Sequence, residues 1–275
     1  MPTRSSWQAI AGAVDAVLAA GGAGVEVVVA GDQAEPGGPP PADRRVRVVV
    51  NRGARGFAPT CNVGARASRG ALLLFLNDDV ALGAGVLDAL ATALARPEIG
   101  AAGPDVHSRA LGRSESGTVL AWRRGVLEAR QEALAGPAPV EVPYLCGAAL
   151  AVRRTDFERL GGFDERLAPY YWEDVDLSLR LRAAIGPTVA VAATVDHRHG
   201  ATIERESERQ RRVVYERNRY LVSWRHLRGA RWLVHLAWLP VRLAASLLRD
   251  GAVAAGLLDA LRPTASAGRN GARRG

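Results

Sequence analysis

Lysine is absent: each of the 36 basic side chains in the 275 residues is arginine. A lysine-bearing triphosphate loop is thereby excluded, and no GxGxxG stands in its place. The base composition of the coding DNA is the plainest account of so one-sided a choice. Cysteine is almost as scarce. Cys61 and Cys146 lie far apart and outside any CxxC or Cys/His spacing, so neither a disulfide framework nor a zinc site is indicated, and a reducing cytosol fits. Long apolar runs are missing too. Residues 232–248 are too few and too charged to span a bilayer, and Pro240 would kink them. The N-terminus is a poor secretory signal: an alanine-rich stretch broken by Gln8 and Asp15 reads as an amphipathic helix over residues 7–20.

What remains is a chain that is 48% hydrophobic, ample for a core, with a formal charge of +8. The excess is uneven: residues 201–275 hold 15 arginines against 6 acids, while the rest is near neutrality. A basic C-terminal third suggests an anionic surface, membrane or nucleic acid. The runs VEVVVAG (25–31), VRVVV (46–50) and ALLLFL (71–76) have the character of buried parallel strands, and LGAGVLDALATALA before Pro97 has helical spacing. Alternation of this kind predicts an α/β layer structure. YLCGAALAV and TVAVAATV read as further strands. Between them TDFERLGGF reads as a short helix with a capping box of Thr155 and Glu158. EPGGPPPADRR (35–45) is a loop.

Four stretches can carry chemistry. LLLFLNDDVAL ends a strand in Asn77, Asp78 and Asp79, at the sheet edge where open α/β folds bind ligands. Adjacent carboxylates there suit a hard divalent cation bridging to phosphate; equally, Asp79 can cap a helix starting near Leu82. YYWEDVDLSLRLR places Glu173, Asp174 and Asp176 in the first turn of a predicted helix, beside Tyr170, Tyr171 and Trp172. Rings can desolvate a carboxylate that takes a proton and also stack on a sugar; a helix-capping cluster with core aromatics is the plainer alternative. Since helical neighbours point about 100° apart, Glu173 and Asp174 cannot share one task. NRGARGFAPTCNVGARASRGA forms a glycine- and asparagine-bearing loop around Gly53, Gly56, Gly64, Asn51 and Asn62. VDHRHGAT ends a strand in His197 and His199. In the last third, Arg228, Arg231, His235, Arg242, Ser246 and Arg249 fall in one helical sector of roughly 60°, with apolar residues filling the rest. A helix lying in a membrane interface, with Trp232 and Trp238 near the headgroups, fits this pattern, as does one packed on the domain with its arginines in water.

In this order the motifs resemble family 2 glycosyltransferases of the GT-A fold, especially the bacterial rhamnosyltransferase-like branch. NRGARGFAPTCNVGARASRGALLLFLNDDV, YLCGAALAVRRTDFERLGGFDERLAPYYWEDVDLSLRLRAAIG, VDHRHGAT and YERNRYLVSWRH carry the likeness, over residues 46 to about 226. The resemblance implies a mixed, mostly parallel Rossmann-like sheet flanked by helices, in a domain over residues 1–226. Amphipathic helices over 227–262 and a disordered tail over 263–275 complete the expected layout. It implies that Asp79, with Asp78 nearby, holds Mg²⁺ or Mn²⁺, and that Asp174 is the general base. Glu173, Trp172, Gly147 and Ala148 are then expected on the acceptor side. Asp32, Asn51, Gly56, Asn62, Asp78 and His197 are expected to line the donor. A nucleotide-sugar would donate to a glycan or lipid-linked acceptor, with inversion, in cell-envelope polysaccharide synthesis. The protein would be cytoplasmic, on the inner face of the membrane, with no nucleic acid partner. One departure stands out: the opening strand of the family is apparently missing, since the sequence begins at the helix. A diverged, non-catalytic, membrane-associated binding protein is the other reading.

Overall fold

Strands and helices alternate through the first hundred residues, as the apolar runs predict. The computed structural model describes residues 1–134, 136, 138–198 and 206–262. Its first elements are β1 (Pro2–Thr3), α1 (Trp7–Gly21), β2 (Val27–Asp32), β3 (Val46–Asn51), α2 (Phe57–Ala67), β4 (Leu72–Leu76), β5 (Val80–Leu82) and α3 (Val86–Leu94). There follow β6 (Ala101–Ser108), β7 (Arg113–Ser114), the hairpin β8 (Gly117–Arg123) and β9 (Val126–Glu132), β10 (Val140–Val142) and β11 (Ala149–Arg153). Then come α4 (Arg154–Arg159), α5 (Glu173–Ala184), β12 (Thr188–His197), α6 (Glu208–His226), α7 (Arg231–Leu247) and α8 (Ala252–Leu261). The expected disordered tail and His199 lie outside the described residues.

Strands β1, β2 and β3 are parallel neighbours in that order. The larger sheet runs β10-β12-β6-β11-β4 and is mixed: β6 and β12 are parallel, while β11 is antiparallel to both β4 and β6. β2 is apolar and buried from Val27 to Gly31, as a strand covered on both faces must be, and ends in Asp32. α1 presents Trp7, Ile10, Val14, Val17 and Leu18, at helical spacing, to the same core as Leu90 and Leu94 of α3. On the other side of the sheet, Phe75, Phe157 and Phe163 pack ring against ring beneath Leu177 and Leu181 of α5.

Several expectations change. The first strand is short rather than absent, with Pro2–Thr3 pairing with Ala30 and Gly31. Beyond it a cleft of about 810 Å³ opens between β2 and β4, lined by Val27, Val28, Leu74 and Leu76, with Met1 and Pro2 at one end. The helix expected to start near Leu82 begins at Val86 instead. Leu82 belongs to β5, which pairs with β12, so Asp79 caps no helix there. The Thr155–Glu158 capping box does not form. The N-cap lies two residues earlier, at Arg153, whose side chain binds Asp156 at 2.6 Å and the Ile99 carbonyl at 2.6 Å.

The largest surprise is the polarity of α7. The stripe predicted to face water or headgroups turns inward along its middle: His235 and Ser246 are buried, and Arg242 stacks over Tyr220. His235 is fully engaged. Its Nε2 accepts from Trp224 Nε1 at 3.0 Å, which leaves Nδ1–H to donate to the Gly125 carbonyl at 2.8 Å. Gly125, at the tip of the β8–β9 hairpin with φ +80°, comes so close that a Cβ there would lie 2.3 Å from the His235 Cα.

Candidate active site

The end of β4 is tied to the start of β11, since the Asn77 amide donates to the Ala148 carbonyl at 2.9 Å. Two carboxylates follow. Asp78 accepts a hydrogen bond from the Thr3 hydroxyl at the end of β1. Burial raises its pKa, while Thr3 and Ser5 pull the other way. Asp79 lies beside β12 because β5, directly after it, pairs Val80 with His197. Its Oδ1 is 3.3 Å from His197 Nε2, and His197 Nδ1 is 3.4 Å from Glu115 Oε2. Burial alone would lower the pKa of His197; the carboxylates of Asp79 and Glu115 outweigh it and raise it to about 9.

Ligand atoms about 2.1 Å from Mg²⁺ in an octahedron stand about 3 Å from one another. The 3.3 Å between Asp79 Oδ1 and His197 Nε2 is a charge-assisted contact, and the two atoms become a pair of candidate ligands only when the imidazole gives up its proton. No group of three such ligating side chains occurs among the described residues. The remaining positions would fall to phosphate oxygens and water.

The second acidic cluster opens α5. Trp172, at its N-cap, and Tyr171 both take φ +75°, a conformation that costs a side-chain-bearing residue about 1–3 kcal/mol and turns the chain sharply into the helix. Asp174 Oδ2 accepts from the Gly147 amide at 2.9 Å and Oδ1 from the Val175 amide at 2.8 Å. Burial raises its pKa, and these amides restrain the rise. Glu173 is buried with Oε2 lacking any hydrogen-bond partner; desolvation, then the charge of Asp174, pushes its carboxyl well above the usual range. Asp176 differs. Burial works against its ionisation, but His226 and the guanidinium groups of Arg180 and Arg225 hold it below its ordinary value.

The structure brings these groups together. Gly147 binds Asp174 while its neighbour Ala148 binds Asn77, so both clusters hang from consecutive residues at the entry to β11. A Cβ on Gly147 would lie 3.3 Å from Asp174 Oδ2. Just before it, the buried Cys146 thiol is pushed up to about 12 by desolvation and then by Asp174, with Glu115 adding to it.

Other expected residues play different parts. Trp172 is only 3% exposed and packs on Tyr215, whereas Tyr170 and Tyr171 are half-buried. Asn51 gives both amide hydrogens to Ala54 and Thr60, and Asn62 gives both to Phe163 and Glu165. Neither has one left for a ligand, so their amides shape the loop. Gly56 is needed where it stands: at φ +136° a Cβ would strike the Pro169 backbone at 2.6 Å. Asp32 sits at the end of β2, accepting from Gly56 and Thr60, with Arg4 at 3.9 Å and Arg55 at 4.0 Å. Glu115 escapes the sequence reading because it lies in the polar run GRSESGT, which has no periodicity, and only pairing of β7 with β6 brings it to His197.

Residues 1–161 match the sequence model of the family described as glycosyl transferase family 2. The chain belongs to this family. This glycosyltransferase family member is 32% identical over 184 residues to N-acetylglucosaminyl-diphospho-decaprenol L-rhamnosyltransferase of Mycobacterium tuberculosis, an alignment covering 60% of the chain and 59% of that relative. It thus spans less than two thirds of the relative's length. Among solved structures it resembles the mannosyltransferase PcManGT from Pyrobaculum calidifontis in complex with GDP-Man and Mn²⁺, with a TM-score of 0.57 and 15% identity over 94% of this chain and 72% of that one. It also resembles S. aureus TarS residues 1–349 in complex with UDP-GlcNAc, with a TM-score of 0.54 and 14% identity over 86% and 70%. These likenesses establish the GT-A fold.

Proposed function

We propose that this chain transfers a sugar from a nucleotide-sugar to a hydroxyl of a glycan or lipid-linked acceptor in cell-envelope polysaccharide synthesis, inverting the anomeric carbon. The observation that carries the reading is that Asn77, two residues before Asp79, and Asp174 are bound by the consecutive residues Ala148 and Gly147. Asp174 takes the acceptor proton as the hydroxyl oxygen bonds to the anomeric carbon, and the bond to the diphosphate breaks with its electrons leaving on that group. Its burial keeps the carboxylate basic, and its two amide hydrogen bonds hold it in one orientation. Glu173, next to it, resists ionisation and so adds little negative charge beside Asp174. Asp79 and His197 would hold a divalent cation, which supplies neutralisation of the leaving diphosphate. Asp78, linked to Thr3, and Asp32, between Arg4 and Arg55, lie on the donor side.

The relative's name contains a decaprenol diphosphate, which supports a lipid-linked acceptor and hence work on the cytoplasmic face of the membrane. No helix among the described residues is long and apolar enough to cross a membrane. Calorimetry with a panel of UDP-, dTDP- and GDP-sugars, with and without Mn²⁺, tests the reading. Metal-dependent binding of one donor, lost in Asp79→Ala, is expected. Silence across the panel would favour the non-catalytic binding protein, a reading supported by the full engagement of the Asn51 and Asn62 amides within the fold.

A further inference from the structure

Eleven of the twelve exposed positions of α7 are apolar. Leu233 is 70% exposed and Leu247 74%, and Trp232, Val234, Leu236 and Val241 lie open beside them. A helix that hydrogen-bonds its polar stripe into the protein and shows its leucines to the outside inverts the usual arrangement for water. We propose that this outer face is the protein's membrane-contact surface, lying in the plane of an anionic bilayer with its leucines and valines among the upper acyl chains. It deepens the lipid-linked acceptor reading above by naming the residues that would meet the lipid.

Charge decides the occupant. Arg228 and Arg231 flank the start of the helix, Arg249 follows its end, and Arg124 reaches up from the hairpin tip; none has a carboxylate partner among the described residues. Two of them stack on aromatic rings, Arg124 at 5.3 Å from the Trp238 centroid and Arg231 at 5.0 Å from that of Trp122. Arginine and tryptophan around an apolar stripe are the composition of an interfacial helix, with guanidinium groups at lipid phosphates and indoles at headgroup depth. A second copy meeting this face about a two-fold axis would set one arginine rim against another and is disfavoured.

Flotation of the purified full chain with vesicles of phosphatidylglycerol and phosphatidylcholine tests this without any sugar transfer. The chain should rise with anionic vesicles and stay down with pure phosphatidylcholine. Leu233→Ser/Leu236→Ser/Val241→Ser, all at exposed positions, should weaken partitioning by about a hundredfold while leaving the thermal midpoint and donor binding unchanged. Arg228→Glu/Arg249→Glu should weaken it less, and added salt should weaken partitioning of the wild type more than that of this variant. Equal flotation of the triple variant and the wild type overturns the proposal. So does a wild type that remains at the bottom but scatters light as a dimer, which the triple variant converts to a monomer. Failure to bind any donor with normal flotation would instead overturn only the catalytic reading.

Discussion

Two helices of this protein turn polarity inward, and they do so differently. Along α7, His235 has both ring nitrogens bonded, Arg242 reaches Glu216 and the Tyr220 hydroxyl at 3.4 Å, and Ser246 accepts from the Ala254 amide. At the start of α5, Glu173 Oε2 has no partner and both Glu173 and Asp174 are held reluctant to ionise by burial. Satisfied buried groups are scaffold, and attention then passes to the surface left outside. Unsatisfied ones are costly and persist where a ligand completes them. On the readings proposed above, the same inversion of polarity serves a reaction site in one helix and a contact face in the other.

The sharpest test of that contrast is Asp174→Asn, which should lower turnover by about 10² to 10⁴ while the thermal midpoint stays near wild type. Near-normal turnover would break the contrast at its catalytic end. Asp176→Asn, two residues along, should do the reverse. It removes the buried partner of Arg180 and Arg225, and urea melts should show a loss of about 3 kcal/mol. Because the folded-state pKa of Asp176 is depressed, its contribution is present above the ordinary aspartate value and vanishes as pH falls through the depressed one, a fall the variant should not show. Gly147→Ala, whose new methyl would crowd Asp174 at 3.3 Å, should lower turnover about tenfold with donor affinity unchanged. The smallest effect belongs to Glu173→Gln. The raised pKa of Glu173 means that the wild type loses stability as pH climbs from the ordinary glutamate value toward the raised one, and the variant's stability should be flatter over that window.

Much of the layout is legible from the residues because local pattern and tertiary need agree. β2, β3 and β4 follow their apolar runs, and α5 begins where three acids meet the Leu177–Leu181 spacing. Legibility ends where a distant partner decides. Whether Asp79 caps a helix or stays at the sheet edge depends on β5 pairing with β12, more than a hundred residues later. Glu115 has no signal at all outside that assembled edge. For α7 the helical wheel gives the stripe correctly but cannot say which side is inward, since Tyr220, Trp224 and Gly125, which receive it, come from elsewhere in the chain.

The cleft between β2 and β4 has a consequence for isotope exchange. At the β1 end these strands stand one strand apart, joined through Met1, whose carbonyl accepts from Ala30, and through Thr3, which reaches Asp78. Further along, alternate amides of both strands face the cleft, and among the described residues no backbone receives them. Deuterium should therefore enter the middle of the molecule, at Val28 and the cleft side of β4, sooner than it enters β6 or β12, so that the centre of the sheet labels like a rim.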